Sequence, residues 1–126
     1  MFRLLVLAAG VIALQAAATD SPFFCNLKAL TAAERTEHQA LGARIAAAVS
    51  AIRELPDGYA FELEGQGLAF HELATWVAFE RRCCPFFDFA LEWRREGGPM
   101  TVKLTGRDGV KAFIRAEFGG AFPAAR

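Results

Sequence analysis

Pro85 separates two stretches of the chain whose apolar residues recur with different periods. Before it, apolar side chains follow helical spacing from Phe70, and after it they alternate along residues 86–93, as in a strand. A residue that precedes proline is disfavoured in the helical region, so the helix is expected to end here. The sequence therefore predicts a helix that runs directly into a strand, with Cys83 and Cys84 at the junction.

A first helix is predicted to begin at Thr31. Thr31 and Glu34 have the spacing of a capping box, in which each side chain satisfies a free backbone amide of the other residue. Apolar residues then recur every three or four positions from Leu41 to Ile52, which indicates one apolar stripe. The turn residues Leu55-Pro56-Asp57-Gly58 are expected to end this helix.

The remaining segments complete an α+β pattern. Short strands are predicted at residues 59–63 and 100–104, and the second is expected to form a hairpin with residues 86–93. Within residues 86–93, the alternation places four residues on one face: Phe87, Phe89, Leu91 and Trp93. A last helix is predicted at residues 110–118, with caps from residues 105–108. The predicted order is helix, strand, helix, strand, strand, helix, which gives a three-stranded sheet with helices packed on one face.

The N-terminal residues have the pattern of an export signal. Arg3 precedes an apolar run over residues 4–14, and small residues follow at 16–18. This run is shorter than the about 20 residues that a membrane helix needs, but it fits the about 7–15 of a signal peptide. We therefore expect residues 1–18 to be a cleaved signal peptide and residues 19–126 to form a single periplasmic or secreted domain. The alternative is an uncleaved anchor, which would be the chain's only contact with a membrane.

The charge balance and the motif content exclude several function classes. The chain has 14 basic and 14 acidic residues, and no run is rich in lysine or arginine. Nucleic-acid binding depends on a basic surface, so no nucleic-acid partner is expected. The sequence also lacks a Gly-x-Ser-x-Gly motif, a phosphate-binding loop and a dinucleotide-binding glycine pattern. These absences favour a non-enzymatic function and leave the cysteines as the residues of chemical interest.

The chain has three cysteines, Cys25, Cys83 and Cys84. Because the number is odd, at least one thiol of an exported protein is free, bound to a metal or paired with another molecule. A helical wheel places Glu80 on the apolar face, three and four residues before the vicinal cysteines. A buried carboxylate is costly without a partner, so Glu80 is expected to pair with an arginine such as Arg81, with a thiol or with a metal ion.

The leading hypothesis is a soft-metal site. Thiolates select thiophilic ions, so the vicinal pair Cys83-Cys84 is predicted to supply ligands, with Glu80 in support and Cys25 closing the site. A closed zinc site needs four ligands, and the sequence has no Cys-x-x-Cys or His-x-x-x-His pair. His38 is a candidate extra ligand on the stripe of the first helix, whereas His71 is expected to lie in solvent.

Two other interpretations remain open. The first is a thiol-disulfide redox protein, with a thiol partner, in which one of the vicinal cysteines is the nucleophile. The C-terminal end of a helix disfavours a thiolate there, although the adjacent Arg81 and Arg82 act in the opposite direction. The second is a noncatalytic domain in which Cys25 forms a structural disulfide with Cys83 or Cys84, or in which both vicinal thiols pack as small apolar groups.

Three stretches of the sequence, residues 55–61, 76–89 and 104–113, resemble a group of small bacterial proteins of unassigned function. The shared centre is Glu-x-x-Cys-Cys-Pro-Phe, which here begins at Glu80, and the similarity covers about residues 25–118. Related segments occur beside or joined to heavy-metal-responsive regulators, so the resemblance implies that the domain handles a soft metal ion. The predicted signal peptide and the lack of a DNA-binding portion distinguish this chain from such regulators.

Overall fold

The computed structural model describes residues 19–64 and 67–123, so the predicted signal peptide lies outside the described residues. The helices are α1 (Ala32–Ala48), α2 (Phe70–Cys83) and α3 (Val110–Glu117). The strands are β1 (Val49–Leu55), β2 (Gly58–Leu63), β3 (Asp88–Trp93) and β4 (Met100–Thr105). Short 3-10 turns are present at Leu27–Ala29 and Gly119–Ala121. Within the described ranges, no helix is long and apolar enough to cross a membrane.

The four strands form one antiparallel sheet in the order β1-β2-β4-β3. The predicted α+β class is confirmed, and so is the predicted hairpin of β3 with β4. The prediction of three strands is wrong, because β1 follows α1 directly and precedes the strand that the sequence pattern places first. The order of elements is therefore helix, strand, strand, helix, strand, strand, helix.

The first helix is shorter than its apolar pattern predicts. It ends at Ala48, so Val49 and Ile52 lie in β1 rather than on a helical stripe. Residues 56–57 form the two-residue loop of a β1–β2 hairpin instead of ending a helix. A hairpin needs a strand on both sides of its loop, and the pairing of Ile52 with Phe61 across the strands outweighs the helical spacing.

The predicted capping box at the start of α1 is confirmed. The Glu34 amide donates to Thr31 Oγ1 at 3.2 Å, and the Thr31 amide donates to Glu34 Oε2 at 2.7 Å. Arg82 of α2 also reaches this helix start, where its guanidinium donates to Glu34 Oε1 at 2.8 Å and to the Ala29 carbonyl at 2.7 Å. The start of α1 is thereby held beside the end of α2, next to the vicinal cysteines.

One face of the sheet and the helices enclose the core. From β2 and β4 this face contributes the buried residues Tyr59, Phe61, Leu63, Met100, Val102 and Leu104. The helices contribute Leu41, Ile45, Leu73, Trp76, Val110 and Ile114. On the other face Lys103 of β4 forms an ion pair with Glu92 of β3 at 2.8 Å. Burial of the helices' apolar stripes against one sheet face is the arrangement that an α+β domain requires.

The ends of two elements differ in how well the sequence predicts them. Trp93 lies on the same sheet face as Phe89 and Leu91, as the alternation predicts, because it pairs with Met100 of the core face. It is nevertheless 62% exposed, since it is the last residue of the edge strand β3. The predicted caps of the last helix are wrong. The side chains of residues 105–108 do not cap α3, since the residue before the helix is Gly109. Gly109 has a φ of +95°, a left-handed conformation that glycine adopts readily, and it turns the chain into the helix.

Candidate metal centre

The predicted junction between helix and strand fixes both vicinal thiols. Cys83 is the last residue of α2, and Cys84 follows with non-helical backbone angles, φ −125° and ψ 67°. The Cys84 amide donates to the Glu80 carbonyl at 2.6 Å, and Pro85 has no amide proton with which to continue the helix. Both cysteine side chains are buried. They are therefore held at the C-terminal end of α2, beneath the segment that precedes α1.

Cys25 is positioned by anchors on either side of it. The amide of Asn26 donates to the carbonyl of the last residue of α2 at 2.9 Å. Phe23 packs edge-on against Phe86, with 5.1 Å between the ring centroids. The Arg107 guanidinium lies 4.1 Å from the centroid of the Phe23 ring. These contacts hold the N-terminal segment across the end of α2 and bring the third cysteine to the other two.

The sulfur atoms of the three cysteines lie within 4.8 Å of one another. Cys84 Sγ and Cys25 Sγ are 3.1 Å apart, within reach of an S–H···S hydrogen bond. The Cys83 thiol donates to the Phe79 carbonyl at 3.1 Å. Since a disulfide has an S–S distance of about 2.05 Å, Cys25 and Cys84 are separate thiols in this structure.

Glu80 is buried in the same place, with 3% of its surface exposed. Its Oε1 accepts a hydrogen bond of 2.6 Å from His38 Nε2. Its Oε2 has no hydrogen-bond partner among the described residues, although the atom is buried. Arg81, the arginine that the sequence offers as a partner for Glu80, is exposed. The partner of Glu80 is instead His38, which the sequence pattern did not single out for this contact.

His38 reaches Glu80 from the neighbouring helix. Its ring lies parallel to that of Trp76, with 6.3 Å between centroids and 5° between planes, which fixes the orientation of the imidazole. Ligand atoms of His38, Glu80 and Cys83 lie within 4.8 Å of one another. Cys83 therefore belongs to two overlapping groups of potential ligands. One consists of the three thiols, and the other of an imidazole, a carboxylate and the Cys83 thiol.

The pKa values in the cluster follow from burial and hydrogen bonding. Burial raises the pKa of Cys83 to about 12. The hydrogen bond from Cys84 to Cys25 raises the pKa of Cys84, with burial adding to the effect, and lowers the pKa of Cys25. The hydrogen bond to Glu80 raises the pKa of His38. Cys25 is therefore the thiol that ionises most readily, and it is not one of the vicinal pair that the redox interpretation favours.

The sulfur positions are close to those that a metal ion requires. Two thiolates that each lie about 2.3 Å from one ion are about 3.8–4.0 Å apart in tetrahedral or trigonal geometry. From their separation of 3.1 Å, Cys25 and Cys84 would have to move apart by less than about 1 Å. The three thiols could therefore hold one soft cation, since Cys83 Sγ lies within 4.8 Å of the other two sulfur atoms.

A cleft of about 960 Å³ opens above the cluster, between the N-terminal segment, α1, α2 and α3. We call it the thiol cleft. Its polar floor includes Cys25, Cys84, Glu80 and His38. Its apolar walls include Phe23, Phe24, Trp76, Phe113 and Phe118. Cys83 lies behind the floor and does not line the cleft.

No protein-family model, curated protein or solved structure matches the chain. The site must therefore be interpreted from its own geometry. The structure brings together the four residues that the sequence singles out, Cys25, Glu80, Cys83 and Cys84. His71 is exposed and lies outside the thiol cleft, as its place on the helical wheel predicts. Whether the four residues act as ligands stays a prediction.

Proposed function

We propose that this domain binds a thiophilic metal ion through Cys25, Cys83 and Cys84, with Glu80 in support. The observation that carries the proposal is the convergence of three sulfur atoms from two distant segments within 4.8 Å. The unpartnered Oε2 of buried Glu80 supports it independently. A buried polar atom without a partner costs about 1–3 kcal/mol, and a cation beside the thiols would offset that cost.

The ligand set favours soft ions. Thiolate ligands select ions such as Cu(I), Hg(II) and trivalent arsenic over hard cations such as Mg²⁺ and Ca²⁺. Zn²⁺ needs a fourth ligand, which Glu80 or the candidate ligand His38 would have to supply. The resemblance to proteins built around Glu-x-x-Cys-Cys-Pro-Phe points to the same class of ion.

Cys83 and Cys84 need a nearby positive charge to become thiolates. The raised pKa values of Cys83 and Cys84 keep both thiols protonated at neutral pH in the absence of a cation. Both sit at the C-terminal end of α2, where the helix dipole disfavours negative charge. A bound cation supplies the missing positive charge, so metal uptake at neutral pH should release the protons of both thiols.

A competition titration of the reduced protein tests the proposal. We expect one Cu(I), Hg(II) or arsenite per chain, and an affinity at least about 100-fold lower in the Cys83→Ser/Cys84→Ser variant. Ala78→Ser, which adds a hydroxyl group on the exposed side of α2, is the control and should bind like the wild type. Absence of uptake, or equal uptake by the double variant, would overturn the proposal.

A second function is favoured by the contact between Cys25 and Cys84. A Cys25 thiolate that attacks an external organic disulfide would form a mixed disulfide and release one thiolate. Cys84, at 3.1 Å, would then displace the second thiol and leave an internal disulfide, which an external dithiol must reduce. The pH dependence of alkylation tests this route, because it requires Cys25 to react at lower pH than the other two thiols. Equal reactivity of all three would exclude it.

The proposed setting is the periplasm or the exterior of the cell, since residues 1–18 have the pattern of a signal peptide. Mass mapping of protein isolated from that compartment addresses both functions. A chain that begins near residue 19 and carries three thiols supports metal binding there. A disulfide between Cys25 and Cys84 supports the redox function, and a chain that still begins at Met1 argues against cleavage of the predicted signal.

A further inference from the structure

Apolar side chains are exposed at the mouth of the thiol cleft. Among the described residues, three large apolar side chains are exposed: Phe24, Leu27 and Trp93. Phe24 and Leu27 line the thiol cleft and lie one and two residues from Cys25 along the chain, whereas Trp93 lies outside it. Phe24 is 64% exposed although it is large and apolar. Apolar groups gathered in this way beside a reactive group are typical of a binding site for an apolar ligand.

The cleft is much larger than a bare ion requires. Its volume of about 960 Å³ lies at the upper end of the about 300–1,000 Å³ that pockets for small organic molecules occupy. An ion held about 2.3 Å from each sulfur would sit within the cluster and leave the cleft above it unused. The cleft-lining sides of Phe23, Phe113 and Phe118 would then contact only water.

The cleft floor offers a ligand two cysteine thiols, so a ligand in the cleft can form two bonds to sulfur. Cys25 and Cys84 line the cleft. Cys83 lies behind them, and its thiol donates a hydrogen bond to the Phe79 carbonyl. A ligand that enters from the cleft therefore meets two sulfur atoms 3.1 Å apart. Any further bond of its central atom points back toward the aromatic walls.

We infer that the ligand is an organic compound of a thiophilic element, with trivalent arsenic carrying one aryl or alkyl group as the best fit. The inference rests on the proposed function and specifies its ligand. Arsenic would bind Cys25 and Cys84, and its carbon substituent would occupy the aromatic part of the cleft. Two As–S bonds form and two As–OH bonds break, each hydroxyl leaves as water with a thiol proton, and no electrons are transferred.

Inorganic arsenite provides the comparison, because it has no carbon substituent and can take a third thiolate. Cys83 is therefore expected to matter for arsenite and to be dispensable for the organic compound. Phe24 has the opposite role, since only an organic group can contact it. Burial of a phenyl-sized group contributes an affinity factor of about 10- to 100-fold, of which Phe24 supplies a part.

The test is competition of phenylarsine oxide and of arsenite against a small dithiol for the reduced full-length chain. Phe24→Ser should weaken phenylarsine oxide about fivefold or more and leave arsenite unchanged, because the residue is exposed and its replacement should not unfold the protein. Trp93→Ser is the matched control, an exposed aromatic residue outside the cleft, and should change neither affinity. Cys83→Ser should weaken arsenite at least tenfold and change phenylarsine oxide by less than threefold.

The outcomes separate this inference from the proposed function. Suppose that the wild type binds arsenite, but Phe24→Ser changes the affinities for phenylarsine oxide and arsenite equally or changes neither. That result would overturn the inference and leave the proposed metal site intact. Equal losses for both compounds in Cys83→Ser would also overturn it. If the wild type binds none of the four probes, phenylarsine oxide, arsenite, Cu(I) and Hg(II), the proposed function itself is overturned.

Discussion

Two open clefts in the described part of the chain carry exposed aromatic residues, and they differ in what lies at their base. The second, which we call the hairpin cleft, has a volume of about 610 Å³ and lies between the start of α2 and the β3–β4 turn. There Phe70 and Trp93 stack with 5.3 Å between ring centroids, and the polar residues His71 and Glu64 are exposed. The thiol cleft instead has two cysteine thiols and the buried carboxylate of Glu80 at its floor.

The difference shows which features indicate a ligand. Exposed aromatic rings occur in both clefts, so they do not distinguish a site. A buried carboxylate oxygen without a partner occurs beside the cysteines of the thiol cleft, and it costs stability unless something binds there. We therefore expect perturbations of the thiol cleft to have large effects and matched perturbations of the hairpin cleft to have small ones.

The largest expected effect is stabilisation by the bound ion. At a free ion concentration about 1,000-fold above the Kd, binding to the folded state raises the free energy of unfolding by about 4 kcal/mol. Chemical unfolding with and without the ion measures the increase. Cys25→Ser/Cys84→Ser should abolish it and Trp93→Ser should retain it. Equal stabilisation of both variants would place the ion outside the thiol cleft.

A smaller effect is expected from the two histidines. His38→Ala leaves the buried Glu80 carboxylate without its hydrogen-bond donor and should lower the free energy of unfolding by about 2–4 kcal/mol. His71→Ala, at the exposed hairpin cleft, should change it by less than about 0.5 kcal/mol. Urea unfolding of the metal-free protein at pH 6 compares them. Similar losses in the two variants would mean that the pair of His38 with Glu80 adds little.

The smallest expected effect is a pH dependence of the same pair. The hydrogen bond to Glu80 raises the pKa of His38 above its unfolded value of about 6.5. Its contribution to stability is therefore fully present below about pH 6.5 and is lost as the pH rises through the folded pKa. The stability difference between the wild type and His38→Gln should narrow between pH 6 and pH 9, whereas that for His71→Gln should stay constant. A difference for His38→Gln that grows with pH would contradict the sign of the shift.

The sequence was sufficient for elements whose signals are local. The capping box of Thr31 and Glu34 and the break at Pro85 each depend on neighbouring residues, and the structure has both. It was insufficient for β1, because the segment follows α1 without a breaking residue and keeps the helical spacing of Val49 and Ile52. The two-residue turn at 56–57 was the available signal, since a hairpin turn requires a strand before it as well as after it.

The contacts of the candidate site are of the same two kinds, those set by local geometry and those set by how the elements pack. Glu80 and Cys83 lie on α2 and Cys84 directly follows it, so their proximity follows from local geometry alone. Cys25 and Cys84 are 59 residues apart and His38 and Glu80 are 42 apart, so their contacts depend on how the elements pack. No periodicity within one segment reports such packing. The position of His38 on the apolar stripe of α1, where a polar residue needs a buried partner, was the only hint.

X-ray absorption spectroscopy of the full-length protein loaded with one equivalent of Hg(II) or Cu(I) tests the central claim most directly. Three sulfur neighbours at about 2.3–2.5 Å are expected in the wild type, because Cys25, Cys83 and Cys84 converge on one point. Cys25→Ser should lose one of the three and Trp93→Ser none. A first shell of nitrogen or oxygen atoms in the wild type, or a sulfur shell that Cys25→Ser leaves unchanged, would contradict the assignment of the metal centre.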